Sequence, residues 1–389
     1  MFVVANSTYN SHNGSDDLPL HPKTKLPLLS FKSHLQDPNR FLSGWNCGLR
    51  FEISSRILFS DKLVVLDLSF NALSGQFPSK FAEPPKKSRI VLLDLSHNQF
   101  YGDIPLTITE LKSLQVLFLS HNLLTGEIPA RIGNLTYLQV IDLSHNSLSG
   151  SIPLNIVGCF QLLALILSNN NLFGEIQPEL DTLDSLKILD ISNNKISGEI
   201  PLTLAGCKSL EVVDFSYNNL SGGLNDAITK WLNLRFISLA RNKFNGSPPA
   251  WLFSFQILSS LEKMWSLRAL DLSHNSLLGQ IPENISSLGN LTLLNLSYNY
   301  FSGIVPTKQG YWRFPGTFAE NPDLCVESPG ERCQTKSLPV VPGKTFEEEM
   351  EGPISLWVFS ISAFVSFYVG ITTLFCSAKT RSYILQTKV

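Results

Sequence analysis

Three histidines, His97, His121 and His145, each stand immediately before an asparagine, and His274 repeats the arrangement further along the chain. Imidazoles at a fixed repeat suggest three readings: a metal site, a surface that charges as its surroundings acidify, or inert drift of the phrase LSHN. The first three lie 24 residues apart, so they stack at strand spacing along one edge if each unit of that length contributes one strand. A second group is cationic: Arg235, Ser238 and Arg241 fall in one unit and Arg268 in the next, a place for a ligand or partner contact. Covalent chemistry has no such support. No Gly-rich phosphate loop and no HRD, DFG, GxSxG or HExxH motif occurs, so neither an enzyme nor a bound cofactor is expected.

What must position these side chains is a repeat. The phrase LDLSxN, or a close variant, ends at Asn71, Asn98, Asn122, Asn146, Asn170, Asn194, Asn218, Asn242, Asn275 and Asn299, and six consecutive steps from Asn98 to Asn242 are 24 residues each. Apolar residues sit eight, five and three positions before each Asn, as Leu114, Leu117 and Leu119 do before Asn122. Such a pattern predicts one short strand per unit, with alternate side chains inward and neighbouring strands stacked ~4.8 Å apart as a parallel sheet. The Asn amide can serve backbone groups that a non-helical turn would strand. A second run, LxGxIP, follows, as in Leu124, Gly126, Ile128 and Pro129. Gln177 and Asn225 replace the proline in two units.

These two runs resemble the plant-type extracellular leucine-rich repeats. That resemblance implies an α/β leucine-rich-repeat solenoid with a concave parallel β-sheet, and the C-terminal sequence adds one transmembrane helix. The expected organisation is an N-terminal segment with a degenerate cap at 1–61, a solenoid of about ten repeats at 62–311 with a short insertion near 251–265, a C-terminal cap at 312–337, an acidic linker at 338–351, a membrane helix at 352–378 and a cytoplasmic tail at 379–389. Hydrophobic residues make up 43% of the chain and charged residues 16%, with net charge -2, so the basic footprint of a nucleic-acid binder is missing. Cys159 and Cys207 occupy a core position two repeats apart, ~9.6 Å by strand spacing, beyond disulfide reach. They are expected to be free, buried and inert.

The outward strand positions form the concave face, where such solenoids bind. Four residues before each Asn the chain reads Asp67, Asp94, Phe118, Asp142, Ile166, Asp190, Asp214, Ser238, Asp271 and Asn295. Phe118 and Ile166 are expected to expose apolar surface there, and with Arg235, Ser238, Arg241 and Arg268 they form the candidate ligand or partner surface.

Residues 352–378 carry no charge, with Glu347, Glu348, Glu349 and Glu351 before them and Lys379, Arg381 and Lys388 after. The asymmetry places the tail in the cytoplasm and the repeats outside, a single-pass type I arrangement at the plasma membrane. Ser362, Ser366 and Gly370 follow one another at four-residue spacing, which puts them on one helix face open to a second helix. Of eight N-x-S/T sequons, Asn134, Asn219, Asn245, Asn284, Asn290 and Asn295 lie in the repeats and are N-glycosylation candidates. The first residues lack the apolar run of a secretory signal. The expectation is a shortened sequence; the competing one is a tail-anchored protein with cytosolic repeats.

The stretch from Ile108 to Phe253, with RIGNLTYLQVIDLSHN and PELDTLDSLKILDISNN, and the end EGPISLWVF and CSAKTRSYILQTKV, resembles the kinase-less CLAVATA-type receptor-like proteins of plants. The resemblance implies a co-receptor in CLE-type peptide signalling that restricts meristem stem-cell number. Its partners would be a membrane-anchored pseudokinase of the CORYNE type, paired through the transmembrane helix, and receptor kinases. It also implies a Cys325–Cys333 disulfide in the C-terminal cap, whereas only Cys47 stands where the N-terminal cap has a cysteine pair. Relative to that family, the island before the last repeats is almost wholly absent, and several N-terminal repeats are expected to have been lost. No repeat carries the Arg-x-Arg of peptide-gripping relatives, six and four residues before the Asn. A defence receptor of the same architecture, a soluble inhibitor-like solenoid and a non-functional shortened product remain alternatives.

Overall fold

The computed structural model describes residues 2–4, 58, 63–77, 88–247, 266–281, 290–305, 314 and 316–326. The chain divides into two units, Met1–Leu338 and Pro339–Val389. All of the second, including the expected membrane helix, lies outside the described residues, as do Cys333 and Asn284. Among the described residues no helix is long and apolar enough to cross a membrane.

Each repeat contributes a three-residue strand, from Val65–Asp67 to Leu293–Asn295, and these strands join with Phe2–Val4 in an eleven-stranded sheet. Pairing is parallel and in strict register, Leu117 beside Ile141 and Ile141 beside Leu165. Those central side chains are fully buried in one continuous apolar cluster that runs from repeat to repeat. No repeat encloses its own leucines, so each is stable only through its neighbours. The register breaks do not disturb the sheet: Phe236–Ser238 pairs directly with Ala269–Asp271 across the 33-residue step.

Each repeat strand ends in the same turn, and asparagine closes it. Asn170 Nδ2 donates to the carbonyls of Leu143 in the preceding repeat and of Leu167 and Ser168 in its own, at 3.0, 3.0 and 3.2 Å. Its Oδ1 accepts from the Leu148 backbone N–H at 3.0 Å. The same set recurs at Asn98, Asn122, Asn146, Asn194, Asn218, Asn242, Asn275 and Asn299. It continues at Asn321, which donates to Leu296 O at 3.1 Å and accepts from Phe301 N at 3.0 Å. Asn321 thus extends the ladder into the C-terminal cap. The spacing rule misses it because Gly316 and Arg313 occupy the expected apolar positions.

The residue before each ladder Asn has positive φ, from Phe70 at 53° through His97, His121 and His145 to Tyr298 at 54°. Left-handed backbone at a non-glycine residue is costly, and most so for β-branched side chains. Phe, His, Asn, Tyr and Arg fill the position in the repeats and Glu320 fills it in the cap. Beyond the turn the chain enters short flank strands, such as Asn219–Gly223 and Lys243–Gly246, in a seven-stranded and a three-stranded parallel sheet. The LxGxIP glycine is needed there: Gly150 has φ +77°, and a Cβ would sit 2.8 Å from Glu127 Cγ of the neighbouring repeat.

The convex side consists of 3-10 helices of three to five residues, such as Leu154–Gly158 and Leu202–Gly206. In the described repeats the α part of the expected α/β class is thus 3-10 helix: in a 24-residue unit that also holds two strands, one tight turn is what remains. Where Asn225 replaces proline it caps such a helix, its Oδ1 accepting from Ala227 N at 2.9 Å. Cys159 and Cys207 are free and buried, as their spacing requires. Each has a further use: the thiols donate to Ile132 O and Leu180 O of the preceding repeat at 3.4 and 3.1 Å, and Trp231, at the equivalent position, donates through Nε1 to Leu204 O at 2.9 Å.

Asn170→Ala removes four hydrogen bonds and leaves buried backbone groups unpaired. It is expected to destabilise the solenoid by about 2–4 kcal/mol, measured as a fall in the urea midpoint, whereas exposed Asn171→Ala stays within about 0.5 kcal/mol.

Candidate functional site: the concave face

Four rows of side chains make the concave face. The central pair projects from the strands: six before each Asn come Val65, Leu92, Val116, Val140, Ala164, Ile188, Val212, Phe236, Ala269 and Leu293, and four before come the aspartates and their replacements. Pairing in strict register crowds these two rows together. In the middle of the face both are buried, but Val65, Asp67, Leu92 and Asp94 at the N-terminal end and Phe236, Ala269 and Leu293 at the C-terminal end are half-exposed.

This crowding corrects one expectation. Phe118 and Ile166 are 6% and 4% exposed and Ser238 is 2% exposed, so none offers contact surface. Phe118 and Ile166 fill the row rather than project from it. Asp142, Asp190, Asp214 and Asp271 are equally enclosed, and Asp94 nearly so. Asp142 Oδ1 accepts from the Ser144 N–H at 3.0 Å and its hydroxyl at 2.7 Å, and Asp214 takes the same pair from Ser216. Burial raises their pKa: Asp94 to about 7 and Asp214 to about 8, the latter also pushed by Asp190, its neighbour in register. Asn295 makes the same bonds with Ser297, so a neutral group satisfies this position.

The row one before each Asn forms one edge. Phe70 stacks on His97 at 4.0 Å, His97 on His121 at 4.1 Å, and His121 on His145 at 4.0 Å, with planes within 14° of parallel. His145 Nε2 meets Asn169 Nδ2 at 3.2 Å. Further on, Arg241 lies over the Tyr217 ring at 5.0 Å and His274 stacks on Tyr298 at 4.0 Å. Face-to-face stacking bears on the metal reading, because a ligating lone pair lies in the plane of its ring and parallel planes share no ion between them. Among the described residues no group of three or more potential ligands could hold a metal.

The opposite edge, seven before each Asn, is uncharged from Val64 to Leu163 and charged at Lys187, Glu211, Arg235 and Arg268. Glu211 pairs with Lys187 Nζ at 3.0 Å and with Arg235 Nε at 3.5 Å, and Arg268 follows, its backbone N–H bonded to Arg235 O. The four cationic-group residues therefore divide. Arg235 and Arg268 are adjacent and exposed just before their strands, Ser238 is buried within its strand, and Arg241 stands across the face in the left-handed turn. Sequence reading missed Lys187 and Glu211; comparing the position seven before each Asn would have found them.

Of the sequons, Asn134, Asn219, Asn245 and Asn290 are exposed. Asn295 is not a glycan site in this fold, since it is 5% exposed and its amide oxygen is held by Ser297. Cys325 is disulfide-bonded, and its expected partner Cys333 lies outside the described residues. So do Ser362, Ser366 and Gly370.

Comparison with known proteins agrees with the repeat architecture. The family profile described as Leucine Rich Repeat matches residues 62–83, 113–135, 137–159, 233–255, 266–288 and 290–308, and a two-copy leucine-rich-repeat profile matches 184–230. The chain resembles the receptor-like protein CLAVATA2 of Arabidopsis thaliana, with 52% identity over 132 residues, 34% of this chain and 18% of that protein. Among solved structures it is similar to the Arabidopsis receptor kinase HAESA in complex with the peptide hormone IDA and the co-receptor SERK1, with 30% identity, TM-score 0.62, and coverage of 72% of this chain and 49% of that one. A plant ice-binding protein matches with 29% identity, TM-score 0.56, and coverage of 69% and 83%. The solenoid alone therefore does not decide function.

The Asp214 carboxyl gives a pH prediction. Its native pKa, about 8, lies above the ordinary 3.8, so the folded state holds the proton more tightly. Its contribution favours folding at low pH and is lost as pH rises through about 8. Asp214→Asn is expected to flatten stability between pH 4 and 8, read by denaturation at stepped pH. In a glycosylating host, Asn134→Gln, Asn219→Gln, Asn245→Gln and Asn290→Gln should each remove one glycan from the intact mass, and Asn295→Gln none.

Proposed function

We propose that this leucine-rich-repeat chain is a non-catalytic receptor-like protein of plant peptide signalling, acting as co-receptor for a CLE-type peptide and restricting meristem stem-cell number. The observation that carries the reading is the C-terminal part of the concave face. There Arg235 and Arg268 stand side by side at the edge of a floor that opens at Phe236, Ala269 and Leu293, and Ser238 interrupts the row of acids. An extended peptide could lay apolar side chains on that floor and an acidic group against the arginines. Similarity to CLAVATA2 and to a peptide-bound receptor kinase ectodomain supports the same reading.

Phe236 and Ser238 occupy the positions where peptide-gripping relatives carry Arg-x-Arg, which favours a shared binding surface over a sole receptor. Output then has to come from a partner. In this proposal residues 352–378 cross the plasma membrane once, the repeats lie outside, and Ser362, Ser366 and Gly370 pack against a CORYNE-type pseudokinase, with receptor kinases as further partners. A Cys325–Cys333 disulfide closes the C-terminal cap in the oxidising space outside the cell.

Two measurements test the proposal. Full chain carrying Arg235→Glu and Arg268→Glu is expected to lose at least tenfold in retention of a CLE-type peptide by a complex with a receptor kinase; unchanged retention would remove this face from the binding site. Separately, Ser366→Leu with Gly370→Leu should abolish co-precipitation of the pseudokinase from membranes while leaving surface delivery intact.

A further inference from the structure

The stack of His97, His121 and His145 is explained neither by the fold nor by peptide binding. A left-handed turn accepts many residues, as Asn193 and Tyr217 show, yet three consecutive turns carry imidazoles in parallel contact. The turns are also joined through backbone: His97 N–H donates to Ser120 O, His121 N–H to Ser144 O, and Asn98 N–H to His121 O. The rings therefore bridge the points where one repeat hands the chain to the next.

Neutral imidazoles stack favourably, whereas neighbouring charged rings ~4 Å apart repel. The surroundings of the three differ. His145 is exposed, bonds Asn169 through its ring, and is acted on by Asp142 and Asp190, which favour its charged form against burial. His121, in the middle, has another histidine on each face, and its repeat has Phe118 where the next has Asp142. Burial and the two flanking rings lower its pKa to about 4. His97 has the Phe70 ring on its far side and is lowered by burial and by His145. Asp94, in the repeat of His97, is pushed up to about 7 by burial and so is largely neutral in acid. The residues just past the turns on the flank, Gln99, Leu123 and Ser147, carry no charge.

We propose that His97, His121 and His145 form a clasp along the edge of the concave face that acid opens, with Phe118 setting the behaviour of the middle ring by standing where the neighbouring repeat has an aspartate. Protons enter at the His145 end. Once His97 is also charged, the last proton has to charge His121 between two charged rings, and separation of the rings relieves the repulsion, loosening the three turns before the solenoid unfolds. The sign follows from the native values lying below the ordinary 6.5: the folded clasp resists protonation, so its stabilisation is complete above that pH and is lost as pH falls toward 4. The device does not depend on what the face binds.

The test uses the full chain with isotope-labelled histidine. NMR titration from pH 7.5 to 4 is expected to show His145 charging first and His121 last. Amide exchange at residues 96–98, 120–122 and 144–146, normalised to the turn at Asn193, should rise at least threefold between pH 7 and 4.5. Phe118→Asp should raise the His121 midpoint by about one pH unit. His121→Phe, which keeps a ring in the row as Phe70 does, should remove the acid-dependent exchange at 120–122, so the test survives if Phe118→Asp fails to fold. Three histidines titrating together near 6.5, or exchange at these turns tracking the Asn193 turn, would overturn the proposal.

Discussion

Everything in this molecule depends on one requirement: the chain must leave a buried strand every repeat without stranding backbone polar groups. The turn that does so is neither helix nor hairpin, so its carbonyls have no partner of their own. An asparagine supplies what is missing, with two N–H donors for carbonyls of its own and the preceding repeat and an oxygen for a backbone N–H in that preceding repeat. Because these bonds cross from repeat to repeat, they set the register as well as close the turn. Leucines supply the free energy of stacking; asparagines determine that the stacking has one solution.

The concave face inherits its chemistry from that geometry. Strands in strict register place equivalent side chains in rows, so any residue type that recurs becomes a ladder: acids beside acids, imidazoles on imidazoles, cations beside an anion. Ladders amplify small environmental effects. One buried aspartate beside another is driven toward its neutral form, and serine donors two residues along hold each in place. The same enclosure turns Phe118 and Ile166 into filler, and the face opens toward its two ends, at Val65 and Leu92 and at Phe236, Ala269 and Leu293.

The opposite side shows the same economy with different residues. Thiols of Cys159 and Cys207 and the indole of Trp231 stand where other repeats have leucine, and each donates to a carbonyl of the preceding repeat. Burial pushes both thiols up to about 12, which keeps them as donors rather than nucleophiles. At the C-terminal end Asn321 repeats the ladder bonds without a full repeat behind it, and Phe314 and Phe318 cover the last leucines.

The periodic part of this structure was legible in the sequence. Apolar residues eight, five and three before an asparagine are a one-dimensional record of which side chains point inward, and the recurrence of that record names the solenoid, the core and the ladder. Free Cys159 and Cys207 followed from strand spacing alone. What the sequence could not decide was how exposed the outward positions are, since that depends on curvature and on the neighbouring rows. Phe118 read as surface and proved buried, and the sequon at Asn295 read as accessible and proved locked. Lys187 and Glu211, too, become meaningful only once Arg235 stands beside them. Inward direction is a local property of the strand, set by its pleat; accessibility and charge pairing are properties of the stacked assembly, and only the tertiary structure supplies them.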